Sequence, residues 1–269
     1  MYDALIIGGG PAGVSAALTL KSRGKQVAII AGAASDAPLW KAPVIENYPG
    51  LPGISGRDML ALFEKQAQDA EVDYLRGRAL SILAMGSGFA VSVGADYQEA
   101  GAVILCTGVS QGKPYPGERE LLGRGVSYCA TCDGMLYRGM RVAVIGLCAE
   151  APAEAEFLRS IGCEVMYFDK RLRYELEGEG KLAALVAEGE RHELDGVFIL
   201  RGAVSADTLL PELQLEEGRV VVDAAMRTSV PGVFAAGDCT GKPFQIAKAA
   251  GEGNIAALTA AAYLESGNK

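Results

Sequence analysis

The hydrophobic positions of the chain fall in short runs that alternate with glycine turns and amphipathic segments. The run DALII at 3–7 is followed by GGGPAG at 8–13, VSAALTLKSRG at 14–24 and QVAII at 26–30. Apolar runs of this length predict buried strands, and the longer segment between them has the pattern of a helix. The start of the chain is therefore predicted to form a strand–turn–helix–strand unit.

The same order of elements recurs in the middle of the chain. Residues 141–145 predict a strand, a helix is expected to end at about Ser160, and Glu164 to Phe168 predict the next strand. Together with a buried strand within 100–108 and an alanine-rich final helix, these units predict an α/β chain. We expect two interleaved Rossmann-like domains of the three-layer ββα, nucleotide-binding type, with the second one truncated.

The predicted domain boundaries follow from this order. Residues 1–110 and 229–269 are expected to form the first domain, and residues 111–228 the second. The segment that follows the strand within 100–108 reads GKPYPGERELLG, and its glycine and proline content is typical of a linker.

The turn GGGPAG carries a phosphate-binding pattern. Gly8 permits a tight turn, Gly10 lets the backbone approach a pyrophosphate, and Gly13 lets the helix pack on the strand. Pro11 and Ala12 lie within the pattern, at the helix start, where free N–H groups and the helix dipole favour an anion. Since the turn lies between a strand and a helix, it predicts a dinucleotide site rather than an ordinary glycine-rich turn.

Both units depart from the full dinucleotide pattern. An acidic residue that binds a ribose is expected at the end of the second strand, where this chain has Ala31. In the second unit Gly146 is kept and Ala151 is a tolerable third position, but Cys148 replaces the second glycine and would crowd a pyrophosphate. Asp169 lies where the ribose-binding acid belongs. The second unit is therefore predicted to keep the fold and to lack a working dinucleotide site.

Composition and charge narrow the class of function. The chain has 269 residues and a formal net charge of −8, which disfavours a nucleic-acid binder because phosphate recognition needs basic surfaces. Its apolar runs are shorter than the roughly 20 residues that span a bilayer, so no membrane association is expected. The six cysteines are scattered and only one pair is closely spaced, a pattern that favours a reducing cytoplasm over a disulfide framework.

One cysteine pair is closely spaced. Cys129 and Cys132 lie two residues apart in GVSYCATCDG at 125–134, and Asp133 follows at once. A CxxC motif beside a βαβ unit is typical of a thiol redox centre, in which the first thiolate can attack a partner's disulfide and the second resolves the product. Asp133 is the expected proton carrier.

A metal site is the alternative interpretation of these cysteines. Structural zinc needs four ligands, and neither the other cysteines nor His192, the single histidine, has the required spacing. No metal is therefore expected. Cys106, Cys163 and Cys239 are predicted to be packing residues, and His192 is expected on an exposed turn.

Six motifs in sequence order resemble one family, the low-molecular-weight thioredoxin reductases, over nearly the whole chain. They are GGGPAG at 8–13, ENYPG at 46–50, CTG at 106–108, GVSYCATCDG at 125–134, PGVFAAGDC at 231–239 and FQIAKAAGEGNIAA at 244–257. The resemblance implies a cytoplasmic FAD oxidoreductase, a homodimer, that reduces thioredoxin or a thioredoxin-like protein. It also implies a rotating dithiol domain, with hinges near 109–117 and 226–232.

The resemblance assigns cofactor contacts position by position. Asn47 would contact the flavin region, Ala79 the adenine through its backbone, and Asp238 the ribityl chain, while backbone N–H groups at a helix start would close over the isoalloxazine. The full implied FAD set is Gly8, Gly10, Pro11, Ala12, Gly13, Asn47, Ala79, Thr107, Gly108, Gly237, Asp238, Gln245, Ile246 and Ala247.

Departures from the family pattern concern the electron donor. Where the family has an intact glycine fingerprint and a basic HRR motif for NADPH, this chain has GLCAEA and then Asp169 within DKR, and the following region is shorter. An aspartate there would repel the 2′-phosphate of NADPH. These departures resemble the ferredoxin-dependent flavin thioredoxin reductases, which lack a working NADPH site. They imply reduced ferredoxin as the donor and no binding of NADPH.

Several alternatives stay open from the sequence alone. The chain could be an NAD(P)H-dependent disulfide reductase with a divergent nucleotide site, or a flavin-binding redox sensor without turnover. Trp40 could lie over the flavin or pack against the body of the domain. Two basic groups could steer a ferredoxin, one at Arg138 and Arg141 and the other at Lys170, Arg171 and Arg173.

Overall fold

The chain divides into two units in the computed structural model, which describes residues 1–86, 88–109, 114–169 and 172–267. Unit 1 comprises Met1–Ser110 and Ala203–Lys269, and unit 2 comprises Gln111–Gly202. The predicted boundary between 228 and 229 is therefore corrected to the one between Gly202 and Ala203. The first boundary falls at 110, as predicted.

Unit 1 is built on a seven-stranded sheet within the described residues. Its elements are β1 (Tyr2–Ile7), α1 (Pro11–Ser22), β2 (Val27–Ala31), α2 (Gly56–Asp69), β3 (Asp73–Arg76), β4 (Ala79–Met85), β5 (Gly88–Val93) and β6 (Asp96–Leu105).

Unit 2 follows in the chain. Its elements are α3 (Glu118–Leu121), β7 (Val126–Ser127), α4 (Ala130–Asp133), β8 (Arg141–Leu147), α5 (Ala151–Ser160), β9 (Glu164–Phe168), β10 (Tyr174–Glu177), β11 (Ala184–Ala187), β12 (Glu190–Glu193) and β13 (Gly196–Arg201). The chain then returns to unit 1 as α6 (Ala206–Leu209), β14 (Leu215–Glu216), β15 (Arg219–Val220), β16 (Val233–Ala235) and α7 (Ile246–Glu265).

The sheet of unit 1 has the strand order β3-β2-β1-β6-β5-β4, and β16 also pairs with β6. Strands β3, β2, β1, β6 and β16 are parallel, whereas β4, β5 and the first half of β6 form an antiparallel meander. Parallel strands joined by helices are typical of the predicted Rossmann-like arrangement.

Alternate residues of β1 serve two different cores, as a strand buried on both faces requires. Ala4 and Ile6 pack with α1, α2 and α7, and Leu5 and Ile7 pack with the meander. The helices therefore cover one face of the sheet and the antiparallel strands cover the other, which confirms the three-layer prediction for unit 1.

The corrected boundary has a clear physical reason. Leu209, Leu210, Leu213 and Val220 are buried in the same core as Leu5 of β1. Residues 203–228 thus complete the hydrophobic core of unit 1, although their sequence pattern of short apolar runs does not say which core they join.

Unit 2 repeats the layered design on a smaller scale. Its parallel sheet has the order β7-β13-β8-β9, and β10, β11 and β12 form a separate antiparallel sheet. Val142 and Val144 pack against α4 and α5, whereas Ala143 and Ile145 pack against the antiparallel strands. The α/β prediction is confirmed in both units.

Two details of unit 2 bear on the sequence predictions. The predicted strand from Glu164 to Phe168 is confirmed as β9, and the helix predicted to end at about Ser160 is confirmed as α5. His192, expected on a turn, instead lies in β12, where it pairs with Leu185 of β11 and contacts the ring of Phe168.

No helix among the described residues is long and apolar enough to cross a membrane.

Candidate functional site

Two of the three fingerprint glycines in unit 1 are required by the protein itself. Gly8 has a φ of 116°, and a Cβ there would overlap the carbonyl oxygen of Cys106. A Cβ on Gly13 would overlap the carbonyl oxygen of Gly8. These contacts let the turn between β1 and α1 fold tightly against the neighbouring strand, as predicted from the sequence.

No contact within the described residues requires a glycine at position 10. It stands before α1 with φ −80° and ψ −172°, a backbone conformation open to any residue. A Cβ there would meet no other atom of the described residues within 4 Å. The open space lies at the amide end of a twelve-residue helix that begins with Pro11, where phosphate oxygens are bound in other proteins. The geometry therefore fits a pyrophosphate group.

A second helix start in unit 1 brings together two predicted cofactor residues that lie far apart in the sequence. Asn47 Nδ2 donates a hydrogen bond to Gln245 Oε1, with a distance of 2.9 Å. Gln245 precedes α7, and its side chain makes that contact with Asn47 instead of capping the helix. The N–H groups of Ile246 and Ala247 thus open α7 without a cap from Gln245, and helix starts of this kind favour negative charge.

The loop that carries Gly237 and Asp238 is held by two charged residues of α7. Lys248 Nζ donates to the carbonyl oxygens of Gly237 and Gly241, at 3.0 and 2.8 Å. Glu252 accepts from the Gly237 N–H at 2.9 Å. Burial raises the pKa of the Asp238 carboxyl, although Lys248 opposes the shift. The sequence motifs did not identify Lys248 and Glu252, whose four-residue spacing on a helix was the available signal.

The remaining predicted FAD residues lie at the ends of strands in unit 1. Thr107 and Gly108 follow β6, Ala79 is buried at the start of β4, and Ala31 ends β2 beside Arg76. The implied FAD contacts of Thr107, Gly108 and Ala79 stay a prediction, and Ala31 marks the position at which the ribose-binding acid is missing.

In unit 1, Trp40 packs against an arginine side chain, and two cysteines are buried. The Arg57 guanidinium lies over the Trp40 ring, 5.2 Å from its centroid. Cys106 and Cys239 are buried, and burial raises the pKa of both thiols, that of Cys239 to about 11. The predicted packing role of these cysteines is confirmed, because neutral buried thiols are poor nucleophiles.

Unit 2 holds Cys129 and Cys132 as a disulfide, with 5.4 Å between their Cα atoms. Cys129 is buried and precedes α4, whereas Cys132 is exposed. The Cys129 sulfur accepts from the Cys132 N–H at 3.1 Å and lies 3.3 Å from the Thr131 hydroxyl oxygen. Such contacts would stabilise a Cys129 thiolate. Exposure alone favours Cys132 as the sulfur that a partner reaches first, which is the reverse of the predicted order.

Asp133 lies in the same turn of helix as the two cysteines. Its N–H donates to the Cys129 carbonyl oxygen at 3.3 Å. Burial, followed by the nearby Asp133 carboxylate, raises the pKa of Tyr137. The structure thus brings the three predicted catalytic residues together.

Helix α5 supports the dithiol segment at both of its ends. Glu154 Oε2 accepts a hydrogen bond from the Ala130 N–H, the amide directly after Cys129, at 2.9 Å. At the other end a Cβ on Gly134 would lie 2.9 Å from Leu158 and 3.1 Å from Phe157. The sequence did not identify Glu154, because its contact with Ala130 spans 24 residues.

A buried ion pair lies behind the dithiol segment. Glu118 is 1% exposed and accepts from both terminal nitrogens of Arg201. It also accepts from the Tyr128 hydroxyl at 2.8 Å and from the Tyr115 N–H at 2.8 Å. Burial and the Glu118 charge raise the pKa of Tyr128. The pair joins the two ends of unit 2 next to Cys129.

The expected hinges differ from the structure in part. Residues 110–113 lie outside the described residues, and Tyr115 and Gly117 contact other residues of unit 2. The segment 226–232 lies within unit 1, where Met226 is buried. It therefore does not connect the two units, and the second connection falls at Gly202 and Ala203 instead.

In unit 2, side chains occupy the space around the turn that corresponds to the glycine turn of unit 1. A Cβ on Gly146 would overlap the Tyr167 hydroxyl, so this phenol occupies the space above the turn. Tyr167 and Cys148 pack against the same hydrophobic core of unit 2, and burial, followed by the charges of Cys148 and Asp169, raises the pKa of Tyr167. Glu150 precedes α5. A carboxylate at this helix start disfavours a pyrophosphate because both groups are negatively charged.

The two predicted basic groups are only partly described. Arg138 and Arg141 are exposed, and Arg141 lies 3.8 Å from Glu164. Arg173 is also exposed, whereas Lys170 and Arg171 lie outside the described residues.

Comparisons with known proteins identify the family to which the chain belongs. The family model described as pyridine nucleotide-disulphide oxidoreductase matches residues 2–178 and 172–253. The thioredoxin reductase of Treponema pallidum (strain Nichols) is 34% identical over 300 residues, which cover 98% of each protein. That of Aquifex aeolicus (strain VF5) is 33% identical over 275 residues, which cover 88% of this chain and 85% of the relative.

Solved structures extend the comparison to the three-dimensional arrangement. A ferredoxin-flavin thioredoxin reductase from Clostridium acetobutylicum has a TM-score of 0.92 and 37% identity, with 98% of both chains covered. A thioredoxin reductase from Gloeobacter violaceus has a TM-score of 0.84 and 33% identity, with 100% of this chain and 95% of that one covered.

Proposed function

The chain belongs to the pyridine nucleotide-disulphide oxidoreductases, among the thioredoxin reductases, and we propose that its electron donor is reduced ferredoxin. In this proposal the enzyme binds FAD in unit 1 and reduces thioredoxin through Cys129 and Cys132 of unit 2.

The residues of unit 1 fit FAD. Gly10 and the start of α1 offer an open space for the pyrophosphate, and the start of α7 with Asn47 and Gln245 offers donors for the flavin ring. Lys248 and Glu252 fix the loop that presents Asp238. When bound, FAD would supply a carrier that accepts electrons singly and delivers them in pairs.

The choice of donor rests on one contrast between the two units. The second fingerprint position is Gly10 in unit 1, with open space around it, and Cys148 in unit 2, beside the Tyr167 phenol that covers Gly146. A pyridine dinucleotide needs such a cradle for its pyrophosphate. A protein donor such as ferredoxin does not, and the ferredoxin-flavin enzyme from C. acetobutylicum is similar over 98% of the chain.

The dithiol would carry out exchange with thioredoxin. One thiolate attacks a sulfur of the thioredoxin disulfide and forms a mixed disulfide, and the other thiolate then attacks the bridging enzyme sulfur. Two electrons thereby leave the Cys129–Cys132 pair for the two thioredoxin sulfurs, and Asp133 lies next to Cys132 to transfer a proton. Met135 and Leu136, which are 58% and 73% exposed, offer an apolar surface beside this pair.

A coupled assay tests the proposal. Thioredoxin thiols would be measured under anaerobic conditions with reduced ferredoxin, NADPH or NADH as the only donor. We expect turnover with ferredoxin and none above background with either nicotinamide. Turnover with NADPH or NADH at a comparable rate would contradict the proposed donor, and gel filtration of the same sample would test the proposed homodimer.

A further inference from the structure

The Glu154 carboxylate lies beside the peptide group that follows the first redox cysteine. It accepts the Ala130 N–H at 2.9 Å, and this amide is one peptide bond from Cys129. A negative charge held near a thiolate raises the free energy of the ionised sulfur. Here the Ala130 N–H is directed to a carboxylate, and the Cys129 sulfur keeps the Cys132 N–H and lies near the Thr131 hydroxyl.

Glu154 lies in a closely packed place that is partly shielded from water. Glu154 is half-buried in the first turn of α5, Ala130 is fully buried, and Gly134 packs closely against Leu158 of the same helix. A carboxylate held in such a place interacts more strongly with a nearby charge than an exposed one does.

We propose that Glu154 is a positioning residue that makes the dithiol more reducing. This inference rests on the proposed function of the Cys129–Cys132 pair. A thiolate on Cys129 is repelled by the nearby Glu154 carboxylate, so the reduced state is destabilised relative to the disulfide. Destabilising the reduced state lowers the reduction potential of the pair, which favours electron transfer to a partner disulfide.

Equilibration with dithiothreitol tests this role without ferredoxin or thioredoxin. In the exchange, two electrons pass from the dithiothreitol sulfurs to the Cys129–Cys132 bond, which breaks, and dithiothreitol closes into its cyclic disulfide. The protons released by dithiothreitol are taken up by the new thiols or by the buffer. The dithiol fraction would be measured at pH 8 by alkylation and mass spectrometry of the holoenzyme, because a thiolate is populated there.

Glu154→Gln keeps an oxygen that can accept from Ala130 and removes the charge. We expect its equilibrium constant to shift about tenfold toward the dithiol, which corresponds to about 30 mV for a two-electron couple. Glu156→Gln is the matched control, since Glu156 is exposed on the same helix and pairs with Arg159, and it should stay within about twofold of the parent.

Two results would overturn the proposal. Glu154→Gln could match the parent and the Glu156→Gln control, or only Glu154→Ala could shift the equilibrium, in which case the carboxylate is a structural cap and its charge has no effect. Thermal unfolding of each variant identifies any that fails to fold. Because the readout needs no electron donor or protein partner, a wrong assignment of ferredoxin would leave this test intact.

Discussion

The Glu118 carboxylate accepts two hydrogen bonds from the Arg201 guanidinium, at 2.6 and 2.8 Å, inside unit 2. Arg201 is the last residue of β13, and Glu118 opens α3 at the other end of the unit. The pair therefore closes unit 2 between its first and last described elements and supports Tyr128, which directly precedes Cys129.

Removal of one partner of this pair should destabilise unit 2 strongly. Glu118→Ala leaves the buried Arg201 charge and the Tyr128 hydroxyl without their acceptor, so we expect a loss of about 3–5 kcal/mol in the free energy of unfolding. Urea denaturation followed by circular dichroism measures this loss. The control is Glu177→Ala, which removes an exposed partner of Arg191 and should cost less than about 1 kcal/mol. Equal losses in the two variants would contradict the role of the buried pair.

Two glycine substitutions should separate folding from cofactor binding. Gly10→Ala places a methyl group in open space at an ordinary φ, so the apoprotein should keep its stability within about 0.5 kcal/mol. The same methyl group would enter the space of the pyrophosphate, and we expect at least a tenfold weaker affinity for FAD, measured by fluorescence titration.

Gly8→Ala is the matched comparison. It adds a methyl group that overlaps the Cys106 carbonyl oxygen at a φ of 116°, so it should destabilise the apoprotein by more than about 1 kcal/mol. If Gly10→Ala destabilised the apoprotein as much as Gly8→Ala, the glycine at position 10 would be required by the fold, and the argument for a phosphate site would fail.

The Asp238 carboxylate is expected to lower the stability of the apoprotein at neutral pH and to strengthen FAD binding. Burial raises its pKa in the folded state, so the folded protein binds its proton more tightly than the unfolded chain. The charged carboxylate therefore lowers stability above the ordinary pKa, and this loss disappears once the pH falls below that value. Asp238→Asn should raise the melting temperature of the apoprotein at pH 7 and leave it nearly unchanged at pH 3.

The same Asp238→Asn variant should bind FAD more weakly. A variant that lost melting temperature at pH 7 would show that the Asp238 charge stabilises the apoprotein. In that case Lys248 would outweigh burial at this site.

The sequence predicted the parts of the fold that depend on local pattern. Strand β9 (Glu164–Phe168) is a mostly apolar run that is followed by Asp169, and both of its ends were predicted from the chain alone. Strand β12 was missed because its residues, ERHE, are polar throughout and its described pairing is with β11 alone. The second domain boundary was misplaced because burial of Leu209 and Leu213 in unit 1 depends on contacts between distant segments.

The candidate sites show the same division between local and distant information. Each predicted catalytic residue lies within one short motif, and the structure brings all three together in one turn. Glu154 and Arg201 reach their sites from separate elements, so no spacing in the sequence predicts them, whereas the four-residue spacing of Lys248 and Glu252 was the signal that could have identified that pair. The Tyr167 phenol over Gly146 is another contact of this kind. It is an obstacle to a dinucleotide that the sequence did not predict, in addition to Cys148, which the sequence did predict.

The central claim is tested most directly by the visible absorption of the FAD-loaded enzyme under strict anaerobiosis. Separate samples would receive NADPH, NADH or reduced ferredoxin, and loss of the flavin's visible absorption band would be followed in each. The account predicts rapid bleaching by ferredoxin and no rapid bleaching by either nicotinamide. Rapid bleaching by NADPH or NADH would show that Tyr167, Cys148 and Glu150 leave room for a dinucleotide, and it would contradict the proposed donor.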